Sequence, residues 1–449
     1  MMKQFDAVVI GAGPGGYEAA IELGRAGIKT LLIDKSKERI GGTCLNEGCI
    51  STKNYLESAG YASKASYFSD CGLEVAVKGL NLQRLGEKTV LLKNELRSGV
   101  VWQLENAGVE MLYGSASFSD SHTIEVSGEK IGFEKCIIAT GAKVREVSVL
   151  PLDGKKIISS REVFELTTLP KSITIVGGGP IGCEFATFFR AFGVDVTLIA
   201  RGTQLLSSED EDISKALLRA FKKSGITVMT SASVLKAEVH SEGVTLRIQA
   251  EAQETIVCEL ILCAMGRDPY TQELMPQNAG VELSPRGFIK VNDSFQTIQP
   301  HIYALGDCID TPAYAHTAYA EAKIAAYNLI NDTTQRNEHI NPSTTFSDPQ
   351  IASCGLKEKE ANEQGKAIEI KKAFFKVNAK AKINGDDSGF AKLIVCADTG
   401  VILGASIIGV EATEIIHEMV VAVEKKLMAK DLIAMIHAHP SVSEIVRYL

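Results

Sequence analysis

The chain has 449 residues, 45% of them hydrophobic and 23% charged. That balance excludes a disordered or fibrous protein and leaves room for about three domains of roughly 150 residues. Its 47 basic and 55 acidic side chains give a net charge of −8, which argues against a nucleic-acid partner and against a polybasic membrane-surface protein. The 10 cysteines are too sparse for a disulfide scaffold, and in a cytoplasmic protein they are expected to stay reduced unless they do chemistry.

At the N-terminus, Asp6 interrupts any leader-like apolar core, and the residues that follow are rich in Gly and Pro. Phe5 to Ile10 reads as a β-strand. Gly11-Ala12-Gly13-Pro14-Gly15-Gly16 follows as a tight turn, then a helical pattern to Gly24 and a second strand from Lys29 to Ile33. Strand, Gly-rich turn, helix and strand make a βαβ unit. Gly11, Gly13 and Gly16 let backbone N–H groups approach a pyrophosphate, and Asp34, 23 residues after Gly11, stands where a carboxylate holds a ribose hydroxyl pair. Such a site suits an adenine dinucleotide without a 2′-phosphate, either FAD or NAD.

Cys44 and Cys49 come next, in Gly41-Gly42-Thr43-Cys44-Leu45-Asn46-Glu47-Gly48-Cys49-Ile50. The spacing is neither a zinc knuckle nor a thioredoxin pair, no partner ligand lies near, and no metal site is expected. Two cysteines so close behind a dinucleotide unit point to a redox-active disulfide against a flavin; the alternative is a pair of structural thiols. The other eight cysteines read as buried thiols.

A second βαβ unit follows, its glycine turn 166 residues after the first: a strand over Ser172–Val176, then Gly177-Gly178-Gly179-Pro180-Ile181-Gly182, a helix to Phe192 and a strand over Asp195–Ile199. Two copies in full context imply two dinucleotide-binding domains. Here the ribose position falls on Ala200, with Arg201 after it. An Arg accommodates the 2′-phosphate of NADP; stacking on an adenine or a solvated position is the alternative. Asn331 to Ser343 is polar and reads as a linker. Beyond it, strand-like runs over Ser353–Ala361, Ala373–Val377 and Ala391–Ile408, and an amphipathic helix over Ala412–Leu427, describe a separate α+β domain. The longest late apolar stretch, Gly400 to Val410, is too short to span a bilayer. Near the end, His437-Ala438-His439-Pro440 precedes Glu444. Read alone, such a pair is commonly structural. Beside a redox disulfide it supplies the base that thiol exchange needs.

These motifs together resemble the pyridine nucleotide–disulfide oxidoreductases. The resemblance rests on Gly41 to Lys53, Ala139-Thr140-Gly141, Gly177 to Glu184, Gly266-Arg267, Tyr303 to Asp307, Ala315-His316 and His437 to Glu444. It covers nearly the whole chain, and within the family the C-terminal run is most similar to the dihydrolipoamide dehydrogenases. The resemblance implies an α/β fold: two Rossmann-like domains, the NAD domain inserted in the FAD domain, and a C-terminal α+β dimerisation domain. The implied boundaries are 1–147 for FAD binding, 148–269 for NAD binding, 270–335 completing the FAD domain, and 336–449 for dimerisation.

It assigns Gly11, Gly13, Gly16, Asp34, Lys35, Gly42, Thr43, Lys53, Gly114, Thr140, Gly141, Asp307 and Ala315 to FAD, with Glu184 pairing Lys53. Gly177, Gly179, Ile181, Gly182, Arg201, Gly266 and Arg267 fall to the nicotinamide dinucleotide. Catalysis falls to Cys44 as interchange thiol, Cys49 against the flavin, and His439 of the partner subunit as base, oriented by Glu444. The implied activity is FAD-dependent oxidation of a dihydrolipoyl group with NAD⁺. The implied partner is the lipoyl domain of a 2-oxo acid dehydrogenase acyltransferase or of a glycine-cleavage lipoyl protein, served by a cytoplasmic homodimer. Departures from the pattern are Ser51 for Pro, Ala200 for Glu, Pro180 at the position that gates the nicotinamide pocket, and a chain that stops five residues after Glu444. Arg201 favours an NADPH-dependent reductase of another small disulfide as the competing reading. A flavin-bearing scaffold with vestigial redox activity is a third.

Overall fold

The computed structural model describes residues 2–449, in two compact units. Of the described residues, the first takes those up to 51, 84–145 and 266–338. Its sheet runs β3 (Glu110–Tyr113), β2 (Thr30–Asp34), β1 (Lys3–Ile10), β6 (Glu129–Ile138), β5 (Thr123–Val126), β4 (Ala116–Asp120), and Ile302–Ala304 pairs β6. β1 is flanked by parallel neighbours in the register Ala7↔Thr30 and Val8↔Cys136, so Ala7–Ile10 is buried on both faces. This is why that run reads as continuous rather than alternating apolar residues. β4, β5 and β6 form an antiparallel meander. Helix α1 (Pro14–Arg25) crosses from β1 to β2 and buries Ala19, Ala20, Ile21 and Leu23.

The second unit comprises residues 52–83, 146–265 and 339–449. A parallel sheet orders Thr227–Met229, Asp195–Ile199, Ser172–Val176, Leu260–Cys263 and Ile157–Ile158, and the helix Pro180–Ala191 makes the crossover. An antiparallel three-stranded sheet, Ser233 to Cys258, shares its core through Val244, Leu246 and Ile248. The C-terminal part is a five-stranded antiparallel sheet in the order Ser343–Thr345, Ile351–Gly355, Ile402–Gly409, Gly389–Cys396, Ile368–Phe374. The helix Ala412–Glu424 buries Ile415, Ile416 and Met419 in that sheet's core.

Two details differ from the sequence expectation. The strand-like run over Ser353–Ala361 stops at Gly355, and Glu358–Glu363 is a helix whose Glu360 carboxylate accepts from the Lys357 N–H at 2.9 Å. Phe375–Val377 is a 3₁₀ turn after the strand. The apolar character of these short runs reported burial, and short apolar runs do not separate strand from helix.

Both Gly-rich turns are glycine by geometry. A Cβ on Gly16 would stand 1.7 Å from the Gly11 carbonyl oxygen, and one on Gly182 would stand 1.9 Å from that of Gly177. Gly60 on α3 (Cys49–Ser63) has open space around it. Gly16→Ala is therefore expected to lower the thermal midpoint by several degrees or abolish folding. Gly60→Ala should hold or raise it through the helix-propensity gain of about 0.5–1 kcal/mol. Differential scanning calorimetry of the two variants distinguishes these outcomes.

Candidate active site and its two dinucleotide turns

In the first unit, β1 ends at Ile10 and the chain turns through Gly11 (φ +105°) to Gly13, which caps α1 with Pro14 as the first helical residue. No side chain caps α1 and no acid lies in its first turn, so its leading N–H groups remain available to an anion. Asp34 ends β2. Its Oδ2 accepts from the Ala12 N–H and its Oδ1 from the Lys35 N–H, both at 2.7 Å, which holds the carboxylate beside the turn with lone pairs to spare. The Gly114 N–H donates to the Asp34 carbonyl at 2.8 Å. Lys35 points elsewhere: its ammonium pairs with Glu273 at 3.0 Å, hydrogen-bonds the Tyr270 hydroxyl and lies over that ring.

The segment with the cysteines is wedged against the same turn. The Gly41 N–H donates to the Ala12 carbonyl at 2.8 Å, and a Cβ on Gly42 (φ +58°) would meet Gly13 Cα at 2.6 Å. Helix α2 (Gly42–Glu47) carries Cys44, and α3 opens on Cys49, which is exposed. Asn46 organises the segment between them. Its Nδ2 donates to the carbonyls of Gly42 (2.8 Å), Arg39 (3.2 Å) and Ile40 (3.3 Å), and its Oδ1 accepts from Arg97 Nη2 at 2.5 Å. Lys93 donates to the Asn46 carbonyl at 3.1 Å. Lys93 and Arg97 lie on the long helix Leu82–Asn106, and nothing in their sequence surroundings marks them.

Thr140 and Gly141 follow β6, where the Ala139 N–H donates to the Ile10 carbonyl. Gly141 (φ +71°) accepts the Tyr270 N–H at 2.8 Å. Ala315 opens the helix Ala315–Asn331, which likewise has no side-chain cap and no acid in its first turn. Tyr17 and Tyr319, one turn into their helices, join hydroxyls at 2.5 Å.

Gly266 and Arg267, expected at the nicotinamide dinucleotide, lie in the first unit. Arg267 donates from Nη2 to Thr43 Oγ1 at 3.2 Å and to the Ala142 carbonyl, leaving a buried Nε without a hydrogen-bond partner. Burial raises the Asp307 carboxyl above its ordinary value, and the Arg267 charge works against the rise. Two uncapped helix starts, a held carboxylate after β2 and an unsatisfied buried guanidinium N–H fit a bound adenine dinucleotide.

In the second unit the turn repeats with Gly177 (φ +133°), and Gly179 caps the helix Pro180–Ala191, which also lacks a side-chain cap. Nothing lies within 4 Å of a Cβ placed on Gly179, so an open face remains for a phosphate to approach. Ile181 and Gly182 are in the first turn of this helix. Ala200 is 3% exposed and offers no polar side chain at the ribose position; Arg201 beside it is exposed. Glu184, on the same helix and 4% exposed, accepts Lys53 Nζ at 2.8 and 3.0 Å and the Phe346 N–H at 3.0 Å. The Lys53 ammonium also lies 4.7 Å from the centroid of the Phe346 ring.

His439 and Glu444 meet near the C-terminus. His439 Nδ1 lies 3.0 and 3.1 Å from the two Glu444 oxygens, and the Ser441 N–H donates to Oε2 at 3.0 Å. The Ser441 amide, followed by His439, holds the Glu444 carboxyl below its usual range. The imidazole itself is largely exposed while the carboxylate side chain is 4% exposed, and it is Nδ1, not Nε2, that Glu444 engages. His437 does not join this pair and hydrogen-bonds Glu418 at 2.9 Å.

Among the described residues, one set of carboxylates is close enough to share a cation: Asp210, Asp212 and Glu358. The Lys392 ammonium stands among them at 2.6–2.8 Å. No helix among the described residues is long and apolar enough to cross a membrane.

Residues 5–322 match the pyridine nucleotide-disulphide oxidoreductase family and residues 341–449 its dimerisation domain. The chain belongs to the pyridine nucleotide-disulphide oxidoreductases, a family that uses FAD and NAD(H), and its dimerisation domain supports a homodimer. It is 34% identical to the dihydrolipoyl dehydrogenase of Geobacillus stearothermophilus, over 98% of this chain and 94% of that protein. It is 36% identical to that of Chlorobaculum tepidum, over 100% and 96%. Among solved structures, the HOCl-induced flavoprotein disulfide reductase RclA from Escherichia coli superposes with a TM-score of 0.89 at 28% identity, covering 99% and 98%. LpdA from Mycobacterium tuberculosis superposes at 0.91 with 24% identity, covering 100% and 99%, and shares the fold.

The lowered Glu444 carboxyl sets a pH dependence. Its contribution to stability is fully present above the unfolded value of about 4.3 and is lost as pH falls through the lower folded value. Chemical denaturation of the native protein and Glu444→Gln should show a stability gap that is flat from neutral pH to about pH 5 and closes below about pH 4. A gap that widens on acidification would contradict the assignment.

Proposed function

We propose that the chain is an FAD-dependent dihydrolipoyl dehydrogenase that oxidises dihydrolipoyl groups with NAD⁺. The observation that carries the reading is the redox-spaced pair Cys44 and Cys49, wedged by Gly42 against the dinucleotide turn, in a chain that also holds the His439–Glu444 pair. Bound FAD supplies the two-electron exchange between a thiol pair and NAD⁺.

The chain's own residues do the rest. Gly11, Gly13, Gly16 and Asp34 hold the FAD pyrophosphate and ribose, with Thr43, Thr140, Gly141, Asp307 and the start of the helix at Ala315 around the flavin part. Lys53, charge-balanced by Glu184, supplies a cation for the ring. Gly177, Gly179 and Gly182 take the NAD pyrophosphate. His439 of the partner subunit removes the proton of the attacking dihydrolipoyl thiol at Nε2, because Nδ1 is engaged by Glu444. The thiolate attacks Cys44 Sγ, the Cys44–Cys49 bond breaks, and Cys49 leaves as a thiolate. The ionised Glu444 fixes the tautomer and stabilises the imidazolium formed.

The functional division proposed is 1–147 and 270–335 for FAD, 148–269 for NAD and 336–449 for the dimer. The proposed partner is the lipoyl domain of a 2-oxo acid dehydrogenase acyltransferase or of a glycine-cleavage system, in the cytoplasm. The absence of an acid at Ala200 and the exposed Arg201 favour one competing outcome, an NADPH-dependent reductase of another small disulfide.

Steady-state kinetics with dihydrolipoamide and either NAD⁺ or NADP⁺ decides between them. Turnover with NAD⁺ is expected. Strong NADPH preference without dihydrolipoamide turnover would overturn the reading. His439→Gln should lower kcat/KM for dihydrolipoamide by about 10²–10⁴-fold, and Cys44→Ser or Cys49→Ser should abolish turnover.

A further inference from the structure

A buried ionic network joins the second dinucleotide unit to the C-terminal sheet. Lys392, on the strand Gly389–Cys396, is 0% exposed. Its Nζ donates to Asp210 Oδ2 (2.7 Å), Asp212 Oδ1 (2.8 Å) and Glu358 Oε1 (2.6 Å). Asp210 Oδ1 in turn accepts the Glu358 N–H at 3.0 Å. Next to it, Glu209 is 8% exposed and takes three donors from the same sheet region: Ser343 Oγ at 2.7 Å, Ser353 Oγ at 2.9 Å and Lys357 Nζ at 3.0 Å. Buried charge of this kind contributes little net stability compared with apolar packing, and its best-attested use is to specify one geometry.

The geometry it specifies lies at the Gly-rich turn. Glu209 closes the loop that begins at Arg201. The Glu209 N–H donates to the Leu206 carbonyl at 2.8 Å, its carbonyl accepts Gln204 Nε2 at 3.0 Å, and the Leu206 N–H donates to the Gly178 carbonyl at 2.8 Å. Leu206 is held at φ +47°, a left-handed conformation that a leucine keeps only when its surroundings impose it. The loop also floors the turn: a Cβ on Gly178 would meet Ala200 Cβ at 2.7 Å and Leu205 Cδ2 at 3.0 Å. An unbroken series of contacts runs from Lys392 through Asp210 and Glu209 to the backbone that receives the pyrophosphate. With Ala200 providing no carboxylate for the ribose, recognition at this site leans on that backbone.

We propose that Lys392 is a positioning residue for the nicotinamide dinucleotide: by anchoring residues 209–210 it holds the 201–209 loop under the 177–179 turn and so sets NAD(H) affinity. This rests on the reading of the second turn as the NAD site, and the two can fail separately.

The test uses the flavin-loaded protein and its Lys392→Met variant. NADH is titrated by fluorescence, and reduction of the protein by dihydrolipoamide without NAD⁺ is followed separately. The expected result is an NADH Kd raised about tenfold, within the range that packed networks transmit. The KM for NAD⁺ should rise in parallel, while the dihydrolipoamide step stays within about twofold of wild type. Should Lys392→Met fail to fold, Glu209→Gln serves instead. It keeps the size and the two serine hydrogen bonds, and a smaller rise in Kd of about threefold is expected.

An unchanged NADH Kd in a variant with full flavin content would overturn the proposal. A parallel fall of both steps with thermal stability would overturn it as well, since that is the behaviour of a purely structural residue. If the wild-type protein binds NADH but is not reduced by dihydrolipoamide, the substrate assignment fails while the NADH titrations still decide the role of Lys392.

Discussion

Everything described here depends on how closely a strand–turn–helix can be drawn together. In each dinucleotide unit the helix starts so near the end of the first strand that a single methyl group would intrude on a carbonyl oxygen: Gly16 on Gly11, Gly182 on Gly177. That approach leaves the helix start without a side-chain cap, and so with its leading amides unspent. In the first unit the same constraint extends to the reactive cysteines. Gly42 must approach Gly13 with no side chain between them, and Cys44 is then two residues along a helix whose position has already been fixed.

The cysteine segment shows how rigidity reaches a reactive loop. α2 is only six residues long, too short to hold itself. Asn46 binds it to the preceding carbonyls, and Arg97 and Lys93 hold Asn46 from a helix far along the chain. The base is built in the opposite manner. The imidazole of His439 stays exposed while the Glu444 carboxylate beside it is buried, which is the arrangement the proposed role across a dimer interface requires.

Much of this was legible from local patterns. The strands Ser172–Val176 and Asp195–Ile199 fall where the apolar runs place them, because a central parallel strand buries β-branched and aliphatic residues on both faces. Asp34 was readable from its distance to Gly11, since the length of a βαβ unit is nearly fixed. Other parts left no local trace. The hydrogen bond from Arg267 to Thr43, 224 residues away, is marked by neither residue's sequence neighbours. Glu358–Glu363 looked like a strand continuation until its own N-terminal cap made it a helix. Ion pairs such as Lys392 with Asp210 obey no period, and a lysine within the continuous apolar run Phe390–Cys396 gives no local sign of its partners.

The separation of those partners has a bearing on how the protein is made. Lys392 lies 182 residues after Asp210 and 180 after Asp212. During synthesis the second βαβ unit is complete long before the cation that neutralises its acids has left the ribosome. Until then Asp210 cannot be buried without an uncompensated charge cost, and Glu209 likewise waits for Lys357. A nascent chain or a fragment that lacks the last sheet would therefore carry the second βαβ unit with its 201–209 loop unanchored, and that loop settles only with the finished polypeptide.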